Sequence, residues 1–377
     1  MQIEGIDVVG LSGATPRGGW AVELEPDDVV HTLVTVRTDE GINGVGSVSS
    51  HDRLVSAAVE VLAPLVIGEH ALEPERVSEK LHQHTFWLGR GGTLTHAISG
   101  IDTALWDILG KATNQPVGRL LGGRYRDRVR PYASLLTDEP DPLAERLTEL
   151  VEAGFTAYKI GWGPFGRRSP RLDEQMVARA REMVGAEALL MVDAGASDGF
   201  WPHGYKWALQ TAAMLADHGV EWFEEPLPPD SLDDYADLRR RSPVKIAGGE
   251  VLTRRQAFLP WLKARALDVV QPDVTKVGGI SEQRRIAHAA EDHGIAFVGH
   301  GWNTAVGLAA DLQIASALPN SELIEYRTGS PYVDELSGYA FELDADGMLA
   351  VPDRPGLGVI LDPDALARYR RSAEVTA

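Results

Sequence analysis

No cysteine occurs anywhere in the 377 residues, which excludes disulfide staples, thiolate nucleophiles and sulfur-ligated zinc. Positive charge is also in deficit: 36 Lys and Arg face 55 Asp and Glu, for a net charge of −19. No cluster of Lys and Arg forms a stripe that would track a phosphate backbone, so nucleic acid is not an expected partner. No apolar run reaches membrane-spanning length, and the opening Met1-Gln2-Ile3-Glu4 has acid where a secretory leader has base. A soluble, cytoplasmic protein with no membrane partner is the expectation. With 44% hydrophobic residues the chain has material for a large core, and its length suits two domains better than one.

What the chain has is acid at a regular beat. Strand-like runs end at Asp193, Glu224 and Glu250, with 31 residues between the first pair and 26 between the second. A (β/α)₈ barrel of about 250 residues spends roughly 31 on each strand-plus-helix unit, so these acids recur one barrel step apart. That puts three carboxylates on neighbouring strands at the C-terminal mouth. Convergent carboxylates repel unless a cation sits among them, and all-oxygen ligation suits Mg²⁺. The beat continues through Asp273, His300 and Glu325, in steps of 23, 27 and 25 residues, and upstream it reaches Lys159.

The flanking segments read differently. Residues 29–38 are β-branched and 40–46 turn into a second short strand, as in an antiparallel meander. Helical spacing follows over 54–66, 75–84 and 95–109, where Ile98, Ile101, Ala104, Leu105 and Ile108 share a face. His82 and His84, two apart on a helix, point to different faces and are not a ligand pair. The turn Gly89-Arg90-Gly91-Gly92 lacks the preceding strand of a phosphate cradle. A new βα series begins near 129–136, and helices over 143–153, 173–184, 205–218, 231–241, 254–266, 281–293 and 305–318 alternate with strands, which predicts a parallel barrel. His218, His288 and His293 fall on helices or their last turns, as packed or dipole-facing residues. After Glu325 the alternation stops.

The stretch Ser99-Gly100-Ile101-Asp102-Thr103-Ala104-Leu105-Trp106-Asp107-Ile108-Leu109-Gly110-Lys111, followed by Pro116-Val117-Gly118-Arg119-Leu120-Leu121-Gly122-Gly123, resembles the end of the capping domain in the mandelate racemase branch of the enolase superfamily. The resemblance covers nearly the whole chain. It implies an α+β capping domain over 1–126, a (β/α)7-8 TIM-type barrel over 127–330 and a C-terminal segment, 331–377, that returns to the cap. It also implies Asp193, Glu224 and Glu250 as Mg²⁺ ligands, with Glu225 of Glu224-Glu225-Pro226 as the fallback. Gln271-Pro272-Asp273 and Gly299-His300-Gly301 resemble the paired strand ends that carry an Asp-His dyad, with His300 as base. An adjacent carboxylate sets the tautomer of such a histidine and stabilises its imidazolium. Glu325 would bond the substrate carboxylate opposite the metal, and to do so protonated it needs a raised pKa. Relatives of this kind form dimers or octamers, so a homo-oligomer is also implied.

The step shared by this superfamily is removal of the proton α to a carboxylate. Two-base racemases of the family carry Lys-x-Lys on the second strand, whereas Lys159-Ile160-Gly161 has glycine at the second position. Asp193-Ala194-Gly195 has glycine where relatives often have Asn. One base suffices for dehydration of an acid sugar, an aldonate or aldarate, to a 2-keto-3-deoxy acid, and that is the expected reaction. Lys159 would then be an electrostatic partner, an alternative acid, or a barrel-mouth salt bridge. The competing readings are a racemase or epimerase of an α-hydroxy or amino acid, and a metal-binding scaffold without activity. Substrate specificity is expected from loops 13–26, 47–53 and 161–170. In these, Trp20 is a packing anchor or lid contact, His51 a candidate contact, and Arg167 or Arg168 a partner for a distal carboxylate or plain loop charges.

Overall fold

A computed structural model describes residues 1–16, 24–137, 139–198 and 200–371. Trp20 of the 13–26 loop lies outside the described residues.

The N-terminal sheet is a three-stranded antiparallel meander, β1 (Ile3–Leu11), β2 (His31–Thr38) and β3 (Gly44–Val48), in that order. Helix Gly92–Thr113 lies across it, starting three residues before the expected 95 and ending four after 109. The approach is close enough to dictate sequence. A Cβ on Gly46 would stand 2.0 Å from the Gly100 carbonyl, and one on Gly100 would stand 2.5 Å from Val48. Glycine on both surfaces lets helix and sheet touch through backbone.

The same helix fastens the cap to the barrel through its buried polar residues. Asp102 accepts from the Ser281 N–H (3.0 Å) and hydroxyl (2.5 Å), Trp106 Nε1 donates to Ser281 Oγ, and the Gly278 N–H donates to Ser99 Oγ. Burial pushes the Asp102 carboxyl up to about 7. Asp107 caps backbone on both sides, accepting from Val45 N and Leu357 N.

Eight parallel strands follow: β4 (Arg128–Leu136), β5 (Ala157–Gly161), β6 (Leu189–Asp193), β7 (Trp222–Glu224), β8 (Lys245–Gly248), β9 (Val269–Val270), β10 (Ala296–Phe297) and β11 (Leu323–Arg327). They pair in the order β10-β9-β8-β7-β6-β5-β4-β11. The end strands approach each other: Phe297 N–H donates to Asn320 O at 3.1 Å and Gly301 N–H to Glu325 Oε2 at 2.7 Å. This is the expected TIM-type architecture with helices between successive strands. A final short strand, β12 (Leu349–Ala350), pairs antiparallel with β4. The tail then meets the cap, where Arg371 N–H donates to Gly10 O.

Side chains alternate across each barrel strand. Tyr132, Ala157, Met191, Trp222, Ala247, Val269 and Val298 form one buried cluster, while their strand neighbours Tyr158, Ile160, Leu190 and Val192 join the large core shared with the helices. Lys159, two residues beyond Ala157, Asp193, two beyond Met191, and Glu224, two beyond Trp222, therefore share the inward face. No helix among the described residues is long and apolar enough to cross a membrane.

Candidate active site

The predicted residues come from positions less uniform than strand ends. Asp193 and Glu224 do close β6 and β7, but Glu250 lies two residues past β8, Asp273 three past β9, and His300 three past β10. Lys159 and Glu325 are the central residues of their five-residue strands. Period-2 alternation still points these two inward, one layer deeper than a strand end, where both are buried. Asp273 and His300 pair through an isolated parallel bridge that extends β9 and β10.

Asp193, Glu224 and Glu250 converge, each offering one carboxylate oxygen, and these atoms lie within 4.8 Å of one another. Glu225, the fallback, is not part of this cluster. Burial, and after it the charge of Glu224, pushes the Asp193 carboxyl well above the usual carboxylate range. Such a set has more negative charge than its surroundings neutralise, and its donors are all oxygen. It fits a hard divalent cation.

Neighbouring groups orient these carboxylates. Gly195 N–H donates to Asp193 Oδ1 at 2.8 Å and Trp162 Nε1 to Oδ2 at 3.1 Å. Trp222 Nε1 and Gln271 Nε2 donate to Glu224 Oε2 at 3.0 and 2.8 Å. Trp162 holds its position in left-handed backbone, φ 58°, which is strained for a bulky residue and typical of sites over-determined by their surroundings. Sequence reasoning missed Trp162; the Gly195 that its ring packs against was the available signal. A Cβ there would meet the ring at 2.4 Å.

Lys159 reaches into the cluster from below, with Nζ 2.5 Å from Glu224 Oε1, 2.9 Å from Glu325 Oε1 and 3.7 Å from Asp193 Oδ2. Burial works against its charge, but Glu224 and Glu325 outweigh burial and keep it protonated. The raised pKa that a protonated Glu325 would need is not what its surroundings produce. Burial pushes that carboxyl up, yet Lys159 and His300 outweigh burial and hold it at about 2. Its neighbours include two cations, the Ser134 hydroxyl and a backbone N–H, where burial beside other acids would have been needed to raise it.

His300 Nδ1 stands 2.8 Å from Asp273 Oδ2, and Asp273 Oδ1 is held by the N–H and hydroxyl of Thr275. With a carboxylate as its partner, Nδ1 carries a proton, which leaves Nε2 as the working atom. Nε2 faces Glu250 Oε2 at 3.2 Å and Glu325 Oε2 at 4.0 Å. Burial opposes the charged ring, but Glu250, Glu325 and Asp273 outweigh both burial and Lys276 and raise His300 to about 9.

These groups open into a cavity of about 430 Å³ between barrel and cap. Lys159, Asp193, Glu250, Lys276, His300 and Glu325 form its floor. From the cap, Val29, Val30, Ser49, Ser50 and His51 close it, so the 47–53 loop contributes as expected. Arg167 and Arg168 do not line it. Arg167 stacks between Trp162 and Trp201 and bonds Asp198, and Arg168 pairs with Glu139 on the surface.

Comparison with known proteins places this geometry. Residues 142–365 match the family described as enolase C-terminal domain-like, and residues 25–122 match the mandelate racemase / muconate lactonizing enzyme N-terminal domain. The chain belongs to the enolase superfamily, in its mandelate racemase branch. Within this superfamily it is 35% identical to the D-galactarolactone cycloisomerase of Agrobacterium fabrum over 91% of this chain and 92% of that one. It is 32% identical to the D-xylonate dehydratase of Haloferax volcanii over 99% and 94%. Its structure is similar to that of the 3,6-anhydro-D-galactonate cycloisomerase from Zobellia galactanivorans, with a TM-score of 0.89 and 29% identity over 99% and 100% of the chains.

Proposed function

We propose that this protein is a Mg²⁺-dependent lyase that abstracts the proton α to the carboxylate of a sugar acid and eliminates the β-oxygen. The observation that carries the reading is the Asp273-His300 pair, whose Nε2 faces Glu250 of the three-carboxylate cluster inside a cavity that Asp193, Glu250 and His300 all line. Asp193, Glu224 and Glu250 would hold the cation. When bound, it supplies positive charge that stabilises the enediolate and, by screening Glu250, favours the neutral, basic form of His300. Asp273 orients the ring and stabilises its imidazolium, a general-base arrangement worth about 10²–10⁴ in rate. Glu325, ionised and clamped by Lys159 and Gly301 N–H, acts as a fixed negative wall that keeps Lys159 charged, and the Lys159 ammonium offsets charge building on the substrate carboxylate. Residues 1–126 with 331–377 serve as the cap that excludes water, and 127–330 as the catalytic barrel.

The racemase reading needs a proton acceptor on the opposite face. A Cβ on Gly161 would stand 2.2 Å from the Asp193 carbonyl, so that position has no room for the second lysine. A second reading, cycloisomerisation, is favoured by the likeness to the Agrobacterium fabrum and Zobellia galactanivorans enzymes. It uses the same half-reaction, with the departing oxygen belonging to a lactone or anhydro ring.

The test is a screen of linear and cyclic sugar acids with Mg²⁺ in D₂O, read by NMR and mass spectrometry. A 2-keto-3-deoxy acid with loss of water supports dehydration, and a ring-opened product of unchanged mass supports cycloisomerisation. Epimerised substrate with α-deuterium and no elimination would overturn both.

A further inference from the structure

One cation of the cavity floor has no role in the scheme above. Lys276 sits on the turn that follows Asp273, with its N–H donating to Asp273 O at 3.0 Å. Its side chain lines the cavity and is 18% exposed. The nearest carboxylate oxygens to Nζ are Asp273 Oδ2 at 3.5 Å and Glu250 Oε1 at 4.0 Å. Charge-assisted hydrogen bonds run about 2.7–2.9 Å, so the Asp273 contact is a long one and takes at most one of the three ammonium donors. Lys159 is the contrast, since its ammonium is committed to Glu224 and Glu325 at 2.5 and 2.9 Å.

Among the described residues, the other wall offers no second cation besides Lys159. Gly161 is packed against Asp193 and Gly195 against the Trp162 ring, and the polar lining there comes from Ser134 and Ser197. The indole N–H of Trp162 is spent on Asp193. Glu250, by contrast, has His300 Nε2 at one oxygen and Lys276 Nζ at the other. The base and the ammonium with donors to spare therefore flank the same carboxylate.

We infer that Lys276 is a catalytic residue that hydrogen-bonds the departing β-oxygen of the substrate, beside His300. The inference rests on the elimination reading. His300 Nε2 takes the α-proton and the C–H electron pair passes to the substrate carboxylate as an enediolate. That pair then forms the C2=C3 bond while C3–O breaks, and the departing oxygen takes the proton carried by His300. It leaves as water from a linear substrate, or stays as a hydroxyl on a ring-opened one. Lys276 keeps its protons throughout and stabilises the charge that builds on the oxygen as C3–O lengthens, an oxyanion-type role.

The experiment compares wild type, Lys276→Met and Lys276→Arg with Mg²⁺ in D₂O, on the sugar acid that wild type converts, following α-deuterium incorporation and elimination together. Removal of one such donor costs about 10²–10³ in rate. Lys276→Met should therefore lose elimination by about 10²-fold while α-exchange falls by less than about 5-fold, and Lys276→Arg should recover part of the loss. Elimination within about 3-fold of wild type in Lys276→Met overturns the inference and leaves the elimination reading standing. A parallel fall of exchange and elimination also overturns it, because Lys276 would then act through His300, as does a loss of Mg²⁺ affinity by calorimetry. If no sugar acid exchanges or eliminates with wild type, the elimination reading falls and this inference with it. A binding measurement on the His300→Asn protein adds a readout without turnover. Preference for an aldonate over its 3-deoxy counterpart should vanish on adding Lys276→Met, and its survival would count against the hydrogen bond.

Discussion

The two walls of the barrel mouth are built by the same strand-helix alternation and used in opposite ways. On the β5–β6 wall, glycines at 161 and 195 are filled against by Asp193 and by the Trp162 ring, and the indole N–H locks a carboxylate. On the β8–β10 wall, His300 stands 2.8 and 3.2 Å from Asp273 and Glu250, Lys276 stands 3.5 and 4.0 Å from the same two carboxylates, and Glu250, Lys276 and His300 line the cavity. In the proposed function, one wall is scaffolding for a cation site, and the other handles the protons. An absent side chain is therefore as informative as a present one: glycine at 161 marks a packed surface, an observation that supports the proposed single-base reaction.

The largest expected effect is on the proton-handling wall. His300→Asn should abolish α-proton exchange and elimination together, by about 10³-fold or more, while Mg²⁺ affinity measured by calorimetry stays within a few-fold of wild type. Substantial residual exchange would remove His300 from the base role and erase the contrast between the walls. Next comes the carboxylate that both walls share: Glu250→Gln should weaken Mg²⁺ binding by at least about 10-fold and reduce thermal stabilisation by added Mg²⁺ to match. If Mg²⁺ affinity were unchanged, Glu250 would belong to the proton wall alone.

Two smaller effects probe the scaffold wall. Gly161→Ala should cost about 1–3 kcal/mol in urea unfolding, through overpacking against Asp193 O, and Gly161→Lys should destabilise at least as much without yielding racemase activity. A stable, epimerising Gly161→Lys would show that the position was open after all. Trp162→Phe removes only one hydrogen bond to Asp193 and should change stability by about 1 kcal/mol, with a modest loss of Mg²⁺ affinity. Unchanged affinity would mean that Gly195 N–H alone positions the carboxylate.

How much of this was legible in the chain follows from the range over which each signal acts. Helices and strands were readable to within a few residues because apolar periodicity is local. The seven polar positions were readable because a barrel converts regular spacing into a ring. Lys159 and Glu325 could not be seen as mid-strand, since strand tilt and stagger decide depth and neither leaves a mark in spacing. The ionisation of Glu325 could not be read from the sequence because its sign depends on which charges end up within 4 Å, and Lys159, 166 residues upstream in sequence, proved to be one of them. Arg167 was left open between a substrate ligand and a plain loop charge, for want of any sign that Trp162 and Trp201 would enclose it.

By itself, the sequence determined the fold class, the beat of polar residues at the mouth, the likeness to the enolase superfamily, and the glycine at the position of a second base. These depend on residue type and spacing, which no packing detail can alter. Only the tertiary structure decided that Lys159 is bound up in carboxylates while Lys276 retains donors, that Trp162 braces Asp193, and that Gly161 has no room for a side chain. Those are facts of distance between segments far apart in the chain, and Coulomb and contact energies change over fractions of an ångström that spacing along a sequence does not encode.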